Sequence, residues 1–346
     1  IKSLNLKENS FGIEPIRPEG HEISINWTGL SVEDKSIEAL MSIMRSSSIN
    51  QAKSKLRLLD APGQNILLVD KENVSIFVAG AVPNRSTSQL SKGKIPSLGW
   101  KDGNSWLGKL SYETNPKIEN PESGIIVNTN NKTTSENFPY HLSYDWGDSQ
   151  RIVRANNLLQ KRQFHTVNSF VEIQTDTTSI SARILLPLLA KNLWFEKFSS
   201  TSNDLSILKE DALKILSAWN GDMNQSNSEP LIYVSWLANF QEMLMADELG
   251  NFYQKMTNIR PLFLERVLRN KEGASEWCDI IQTQEKESCE EISKRSLNAA
   301  LKQLQKKFGS NINDWRWGDS HIAVHRSSML GSKPILSFFT NIVHEI

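Results

Sequence analysis

The sequence has no net charge and no long apolar run, and each absence excludes a class of protein. Its 346 residues contain 39 Lys and Arg against 39 Asp and Glu. A nucleic-acid-binding protein needs a surplus of cations to displace counterions from phosphates, so we expect no nucleic-acid partner. The longest apolar stretch, residues 182–190, is interrupted by Arg183 and Pro187. It is about half the roughly twenty residues that span a bilayer, which predicts no membrane partner.

Common catalytic signatures are absent as well. The chain has no G-x-S-x-G, H-E-x-x-H, G-x-x-x-x-G-K-[ST] or G-x-G-x-x-G motif, and we predict no cofactor. His321 and His325 have i, i+4 spacing, but no Glu lies between them and no third ligand follows. We therefore expect these histidines to pack against Trp315 and Trp317, and we predict no metal site.

Two other pairs leave alternatives open. Cys278 and Cys289 are the only cysteines, and no zinc-ligand pattern surrounds them. A disulfide and two free buried thiols are equally compatible with the residues alone. Asp145 and Asp176 could form a carboxylate pair, but helix caps and surface charges explain them equally well.

The first 150 residues are typical of strands and turns. Residues 65–70 and 74–82 are apolar and β-branched runs joined by a short polar turn, which predicts a β-hairpin. Both runs are apolar on two faces, so we expect a sheet that is covered on both sides. Residues 83–122 are dense in Pro, Gly, Ser and Asn, and we interpret them as a long ordered loop held by Trp100 and Trp106.

One helix is predicted before the hairpin. Residues 31–34 (SVED) have the pattern of a capping box. Ile37, Leu40, Met41 and Met44 then follow at helical spacing, which predicts an apolar stripe packed on the sheet.

After about residue 150 the periodicity becomes helical. Apolar residues recur three and four apart around 148–160, 165–175, 181–192, 205–219, 230–248, 259–270 and 287–308. Pro230 suits the first turn of its helix, and Gly250 and Gly309 suit C-terminal caps. We interpret the charged run 284–291 as a solvated helix face. Strands followed by helices predict an α+β protein.

The most informative local pattern is an apolar run that leads directly into asparagines. Residues 124–127 (GIIV) predict a strand, and 128–131 (NTNN) follow at its end. Asparagine tolerates left-handed backbone angles, so this pattern fits a simple turn. It also fits an amide donor at a strand end that is aimed at a developing oxyanion.

A series of short elements occurs in one order over roughly residues 24–330. The elements are Trp27-Thr28, 61–65 (APGQN) with Asp70, 80–83 (GAVP) with Arg85, Trp100, Asn115-Pro116, Asn120-Pro121 with Gly124, Asn130-Asn131, Pro139-Tyr140, Asp145-Trp146, Arg151, 174–176 (QTD) with 185–189, 247–250, and 315–318 (WRWG) with His321 and His325. In this order the chain resembles the β subunit of penicillin acylases, amidases whose relatives also cleave N-acyl-homoserine lactones.

The resemblance implies a fold and a division of the chain. Such enzymes have an αββα sandwich with a helical knob, so we expect a partial N-terminal-nucleophile hydrolase sandwich. Residues 1–30 would belong to a small β-rich subdomain and 31–150 to the hydrolase core. Residues 151–314 would form the knob, and 315–346 would return to a truncated core.

The resemblance also implies an activity and roles for three residues. The family hydrolyses amides with an N-terminal serine whose own α-amino group is the general base. Asn130 matches the oxyanion-hole asparagine, and Arg151 matches an arginine near that amino group, where a surface salt bridge is the alternative. Gln64 matches a position that lines the acyl pocket. No serine of this chain has the required place, so we expect the nucleophile upstream, in a missing part of the β subunit.

Further expectations follow from the same resemblance. The partners would be that missing part, an α subunit from the same precursor and a small N-acyl amide substrate. Relatives carry a Cys pair after a Trp, which implies a Cys278–Cys289 disulfide and a periplasmic or secreted enzyme. The family's calcium-binding aspartate has no clear counterpart in residues 139–146, so we expect no calcium site. The alternative to an enzyme fragment is a non-catalytic binding or scaffold descendant.

Overall fold

The computed structural model describes residues 7–9, 12–16, 23–196, 204–256, 259–333 and 335–345. It divides into two compact units, Ile1–Ile152 and Val153–Ile346. Most strands belong to the first unit and most helices to the second, as expected for an α+β protein. The predicted β-rich subdomain of residues 1–30 lies partly outside the described residues.

The first unit contains eight described strands and two complete helices. The strands are β1 (Lys7–Asn9), β2 (Gly12–Ile16), β3 (Ile23–Ile25), β4 (Gln64–Val69), β5 (Val74–Ala79), β6 (Pro83–Arg85), β7 (Trp106–Lys109) and β8 (Lys117–Glu119). They form antiparallel sheets in the orders β1-β2-β3, β4-β5-β8 and β6-β7. The helices are α1 (Ser36–Met44) and α2 (Ile49–Leu56).

The predicted hairpin is confirmed, but its two strands are not equally covered. Gln64 pairs with Ala79 at one end and Val69 with Val74 at the other. β5 lies between β4 and β8 and is mostly buried, whereas β4 is a sheet edge that exposes Leu67 and Val69. The expectation of a sheet covered on both faces is therefore wrong for β4. Within the described residues, no strand or helix covers the face of β4 that carries Leu67 and Val69.

Helix α1 forms where predicted, but its start and its buried face differ. It begins at Ser36, whose backbone N–H donates to Asp34 Oδ1 at 3.1 Å, so residues 31–34 do not form a capping box. Its buried positions are Ser36 and Ala39. The predicted stripe is exposed instead, with Ile37 at 74% and Met44 at 79% exposure. The small residues let α1 approach its neighbours closely, which turns the larger side chains outward.

The segment 83–122 contains more regular structure than a loop. β6 and β7 pair within it, and the Arg85 guanidinium lies 5.6 Å from the centre of the Trp106 ring. Trp100 is 76% exposed and therefore does not hold the segment, contrary to expectation.

The second unit consists of helices and one described strand pair. Its helices are the main part of α3 (Ser149–Leu159), then α4 (Val167–Gln174), α5 (Ile180–Leu189), α6 (Asp204–Ala218), α7 (Glu229–Leu249), α8 (Pro261–Leu268), α9 (Cys289–Phe308) and α10 (Leu336–Thr340). Strands β9 (Ile322–His325) and β10 (Ile342–Glu345) pair antiparallel. The seven predicted helices are confirmed, with Pro230 in the first turn of α7 and Gly250 and Gly309 at helix ends.

A large core lies among these helices, with α7 and α9 packed together at its centre. Trp236 of α7 is fully buried and donates through Nε1 to Ser293 O at 2.9 Å. Cys278 and Cys289 form the implied disulfide, with their Cα atoms 5.0 Å apart. The disulfide closes the loop that leads into α9.

The charged run 284–291 is not a helix face, contrary to expectation. It crosses the start of α9, where Ser288 is the N-cap and Glu291 completes a capping box. Glu287 is buried and accepts hydrogen bonds from the Ile280 N–H at 3.1 Å and from Arg295 at 2.8 Å. Its carboxylate therefore holds the preceding loop instead of facing solvent.

The two histidines are not a helical pair. His321 stacks on Trp317 with ring centres 4.6 Å apart, as expected. His325 ends β9 and contacts His344 of β10, not a tryptophan. Among the helices described, none combines the length and apolarity needed to cross a bilayer.

Candidate functional site

The asparagine-rich segment is an irregular turn and not a strand end. Gly124 has a left-handed backbone with φ of 64°, and no strand of the described residues pairs with 125–127, so the predicted strand is wrong. Backbone becomes a strand only when a neighbour accepts and donates its hydrogen bonds. The one bridge nearby is parallel and joins Asn131 to Gly147.

Two flanking asparagines hold the turn. Asn131 Oδ1 accepts from the Thr129 N–H at 3.1 Å, and Asn128 Oδ1 accepts from the Asn130 N–H at 3.3 Å. These are Asx-type contacts, which stabilise a turn without repetitive structure. The side chain of Asn130 therefore does not hold its own turn.

Asn130 itself is exposed and has a left-handed backbone, with φ of 63°. Its carbonyl oxygen accepts from the Gly147 N–H at 2.6 Å, and its Oδ1 accepts from Arg151 Nη2 at 3.1 Å. Within the described residues, Nδ2 is the one polar group of Asn130 without a hydrogen-bond partner. The amide is thus oriented with its donor end free.

Arg151 orients this amide from the first turn of α3. Its Nη2 also donates to Thr129 O at 2.5 Å, so one guanidinium nitrogen binds two successive residues of the turn. Among the described residues no carboxylate forms an ion pair with Arg151. Since a guanidinium can only donate, its contact fixes which end of the Asn130 amide is Oδ1.

Gln64 lies apart from this contact. It is exposed at the start of β4 and pairs through its backbone with Ala79. Gly80, at φ of 123°, follows β5, and a Cβ there would lie 2.7 Å from Gly63 Cα. This close backbone crossing fixes the chain before Gln64. No hydrogen bond within the described residues joins Gln64 to Asn130 or Arg151, so the place of Gln64 in the acyl pocket stays a prediction.

Asp176, one of the two aspartates considered as a carboxylate pair, is bound by an arginine. Asp176 accepts from Arg154 Nε at 2.9 Å and from Arg154 Nη2 at 2.5 Å. These hydrogen bonds hold the pKa of Asp176 below its ordinary value. Asp145 is exposed in the other unit.

A cavity of about 240 Å³ lies in the second unit. Ala182, Leu186 and Trp219 line its apolar part, and Arg183 and Asn220 lie on its polar side. It is smaller than a typical ligand pocket of about 300–1,000 Å³. None of the predicted site residues lines it.

The predicted absence of metal concerns residues 139–146. No group of three or more His, Cys, Asp or Glu in the described ranges is arranged to hold a metal ion. Burial, together with Arg85 and Lys92, lowers the pKa of His141. The positive charges of Arg85 and Lys92 disfavour the binding of a metal cation nearby. The lack of a calcium site stays a prediction.

Gly147 and Thr129 contact the predicted residues directly, and the sequence analysis missed both. Each contributes only backbone atoms to the contact, N–H from Gly147 and C=O from Thr129. A side-chain signature cannot reveal a backbone contact. The available signal was a glycine four residues before Arg151, near the start of a predicted helix.

Comparison with known proteins gives a consistent result. The family model described as penicillin amidase matches residues 2–343. The chain is 25% identical over 315 residues to acyl-homoserine lactone acylase QuiP of Pseudomonas aeruginosa, covering 88% of this chain and 37% of that protein. It is 22% identical over 270 residues to penicillin G acylase of Escherichia coli, covering 70% and 31%. The chain thus spans about a third of the length of these curated relatives.

A solved structure shows the same fold. Thermostable penicillin G acylase from Alcaligenes faecalis matches with a TM-score of 0.65 and 19% identity, over 90% of this chain and 59% of that chain. The match confirms the predicted α+β fold with a partial N-terminal-nucleophile hydrolase sandwich.

Proposed function

The chain belongs to the penicillin amidase family, and we propose that it is part of an amidase that hydrolyses an N-acyl amide bond. In this proposal the nucleophile is an N-terminal serine that lies outside these 346 residues. Its hydroxyl adds to the amide carbonyl carbon while its α-amino group accepts the hydroxyl proton. The α-ammonium group gives that proton to the nitrogen of the leaving amine as the C–N bond breaks, and water then hydrolyses the acyl ester, which releases the acid and restores the serine.

The free donor end of Asn130 carries the proposal. As the serine attacks, the carbonyl oxygen gains negative charge, and a fixed neutral donor stabilises it without reorganisation. Asn130 offers Nδ2 for that purpose because its N–H, C=O and Oδ1 are already occupied. A turn-forming asparagine would use its side chain within the turn, as Asn128 and Asn131 do.

Arg151 has two roles in this proposal. It orients the amide by donating to Asn130 Oδ1. Its positive charge also disfavours protonation of a nearby α-amino group, which keeps that group available as the general base. Lysine at this position would supply the charge, but not the fixed planar geometry.

The proposal extends to substrate, partners and location. The QuiP relatives are acyl-homoserine lactone acylases, which favours an N-acyl-homoserine lactone as the substrate class. Gln64 would line the acyl pocket. The partners are the remainder of the β subunit and an α subunit from the same precursor, and one relative is described as a penicillin acylase 2 proenzyme. The disulfide supports a periplasmic or secreted enzyme, since such bonds persist in oxidising compartments.

Turnover by the full-length protein tests the proposal. Asn130→Gly removes the donor and keeps a residue that accepts a positive φ. We expect kcat for an N-acyl-homoserine lactone to fall by about 10²–10³, the usual effect of losing one oxyanion donor. Asn157→Ala on the exposed side of α3 is the matched control and should keep normal turnover. Normal turnover by Asn130→Gly would refute the role of Asn130, and an inactive full-length protein would favour the scaffold alternative.

A further inference from the structure

We infer that Gly147 is a positioning residue for the Asn130 amide, an inference that rests on the function proposed above. Gly147 touches no substrate in this scheme. It acts by holding the backbone from which the Asn130 side chain projects.

The first observation is a direct contact between the two backbones. The Gly147 N–H donates to Asn130 O at 2.6 Å, and a parallel bridge joins Gly147 to the next residue, Asn131. The left-handed backbone conformation of Asn130 has a higher free energy than an extended or helical conformation. It persists only when surrounding contacts fix it. The hydrogen bond from Gly147 is one such contact.

The second observation is the lack of space for any side chain at position 147. A Cβ there would lie 3.0 Å from Asn130 O, 3.1 Å from Thr129 O and 3.2 Å from Asn130 C. All three atoms belong to backbone, which yields less easily than the end of a flexible side chain. A Cβ would therefore push the two peptides that flank the Asn130 Cα by a few tenths of an ångström.

The third observation links the first of these peptides to Arg151. Thr129 O, one of the atoms that a Cβ would crowd, is also the acceptor of Arg151 Nη2. Gly147 and Arg151, from one short segment of chain, thus hold the two peptides on either side of the Asn130 Cα. Displacing these peptides would alter both the direction of the Asn130 side chain and its contact with Arg151.

Kinetics of the full-length enzyme test the inference with a double-mutant cycle. We expect Gly147→Ala to lower kcat by about 10- to 10²-fold, because a displacement of about 1 Å can cost about 10²-fold. The KM should change by less than about twofold, since binding of the acyl group does not use this amide. In the Asn130→Gly background, Gly147→Ala should cost no further kcat, because the group it positions is already gone.

Gly103→Ala is the matched control. Its Cβ would meet only the side chain of Ser88, whose hydroxyl can rotate away, so normal kcat is expected. If Asn130→Gly is slow but Gly147→Ala is normal, or if the two losses multiply, the inference about Gly147 is wrong and the proposed function stands. If Asn130→Gly has normal turnover, the proposed function fails and this inference fails with it.

Amide hydrogen exchange tests the contact without any substitution, in case Gly147→Ala does not fold. In the unaltered chain the Gly147 N–H should exchange at least about tenfold more slowly than an unbonded loop amide, because exchange requires the bond to Asn130 O to open. Exchange at the rate of a free loop amide would refute the inference.

Discussion

Tyr233 carries a buried hydroxyl that lacks a hydrogen-bond partner among the described residues. The side chain is 3% exposed, its ring lies 5.4 Å from that of Trp219, and burial raises its pKa. A buried polar group without a partner costs about 1–3 kcal/mol. We therefore expect Tyr233→Phe to keep or raise the free energy of unfolding by up to about 1 kcal/mol, measured by urea denaturation.

A matched variant calibrates that measurement. Ser293 Oγ is buried and donates to Leu189 O at 2.7 Å, so Ser293→Ala should cost about 1 kcal/mol. A comparable loss in Tyr233→Phe would mean that the hydroxyl has a partner after all, such as a buried water.

Glu248 predicts a pH dependence of stability. Burial and a hydrogen bond with Asp247 raise the pKa of Glu248 to about 7. Asp247 Oδ1 is buried and has no hydrogen-bond partner among the described residues. The folded state binds more protons than the unfolded state between about pH 4.3 and 7, and stability therefore falls as pH rises through that range.

Glu248→Gln should remove this dependence. At pH 8 we expect it to be more stable than the unaltered chain by about 1 kcal/mol, a value reduced for solvent screening because this side chain is only partly buried. At pH 4 the two proteins should differ little, because the carboxyl is then protonated in both states. Thermal denaturation at pH 4 and at pH 8 measures this difference in stability. A Glu248→Gln variant that is less stable than the unaltered chain at pH 8 would contradict the raised pKa of Glu248.

At the scale of elements, the disulfide and α9 form one unit. The bridge between Cys278 and Cys289 closes a loop with a sequence separation of 11, directly before the capping box of α9. We expect reduction to lower the free energy of unfolding by about 3 kcal/mol, chiefly through the entropy of the unfolded chain. The double variant Cys278→Ala, Cys289→Ala should lose a similar amount and should not respond to reductant. A reduced chain as stable as the oxidised one would contradict this.

The sequence was most informative where periodicity is long. The seven helices after residue 150 were predicted because their apolar residues recur over several turns. The predicted buried face of α1 was wrong, because sequence pattern does not tell whether small or large residues of a helix contact its neighbours. In the structure Ala39 is buried and Ile37 is exposed. The prediction of a strand at 124–127 was wrong, because an apolar run forms a strand only with a pairing partner. Sequence pattern does not show whether such a partner is present.

The candidate site shows the same division between side chains and backbone. Asn130 and Arg151 were identified by resemblance, and the structure brings them to 3.1 Å. The contribution of Gly147 was not predicted, because it consists of one N–H and the absence of a Cβ. Such contacts depend on two segments meeting in space, 17 residues apart in this case.

At the scale of the whole molecule, several large apolar side chains of the described residues are exposed on α1, β4 and α10. Ile37 and Met44 of α1, Val69 of β4, and Phe338 and Phe339 of α10 are each more than 70% exposed. Soluble monomers rarely expose extended apolar patches, which usually mark interfaces. Together with coverage of only 37% of the QuiP relative, these residues support the proposal that further parts of the protein cover them.

The same proposal predicts that residues 1–346, purified alone, hydrolyse no amide. The oxyanion donor stabilises an intermediate that forms only when a nucleophile attacks, and Asn130 and Arg151 supply none. Release of homoserine lactone from an N-acyl substrate should therefore stay at the uncatalysed rate with this chain, whereas the full-length protein turns it over. Saturable turnover by residues 1–346 that disappears in Asn130→Gly would contradict this, because it would place a nucleophile within the chain itself.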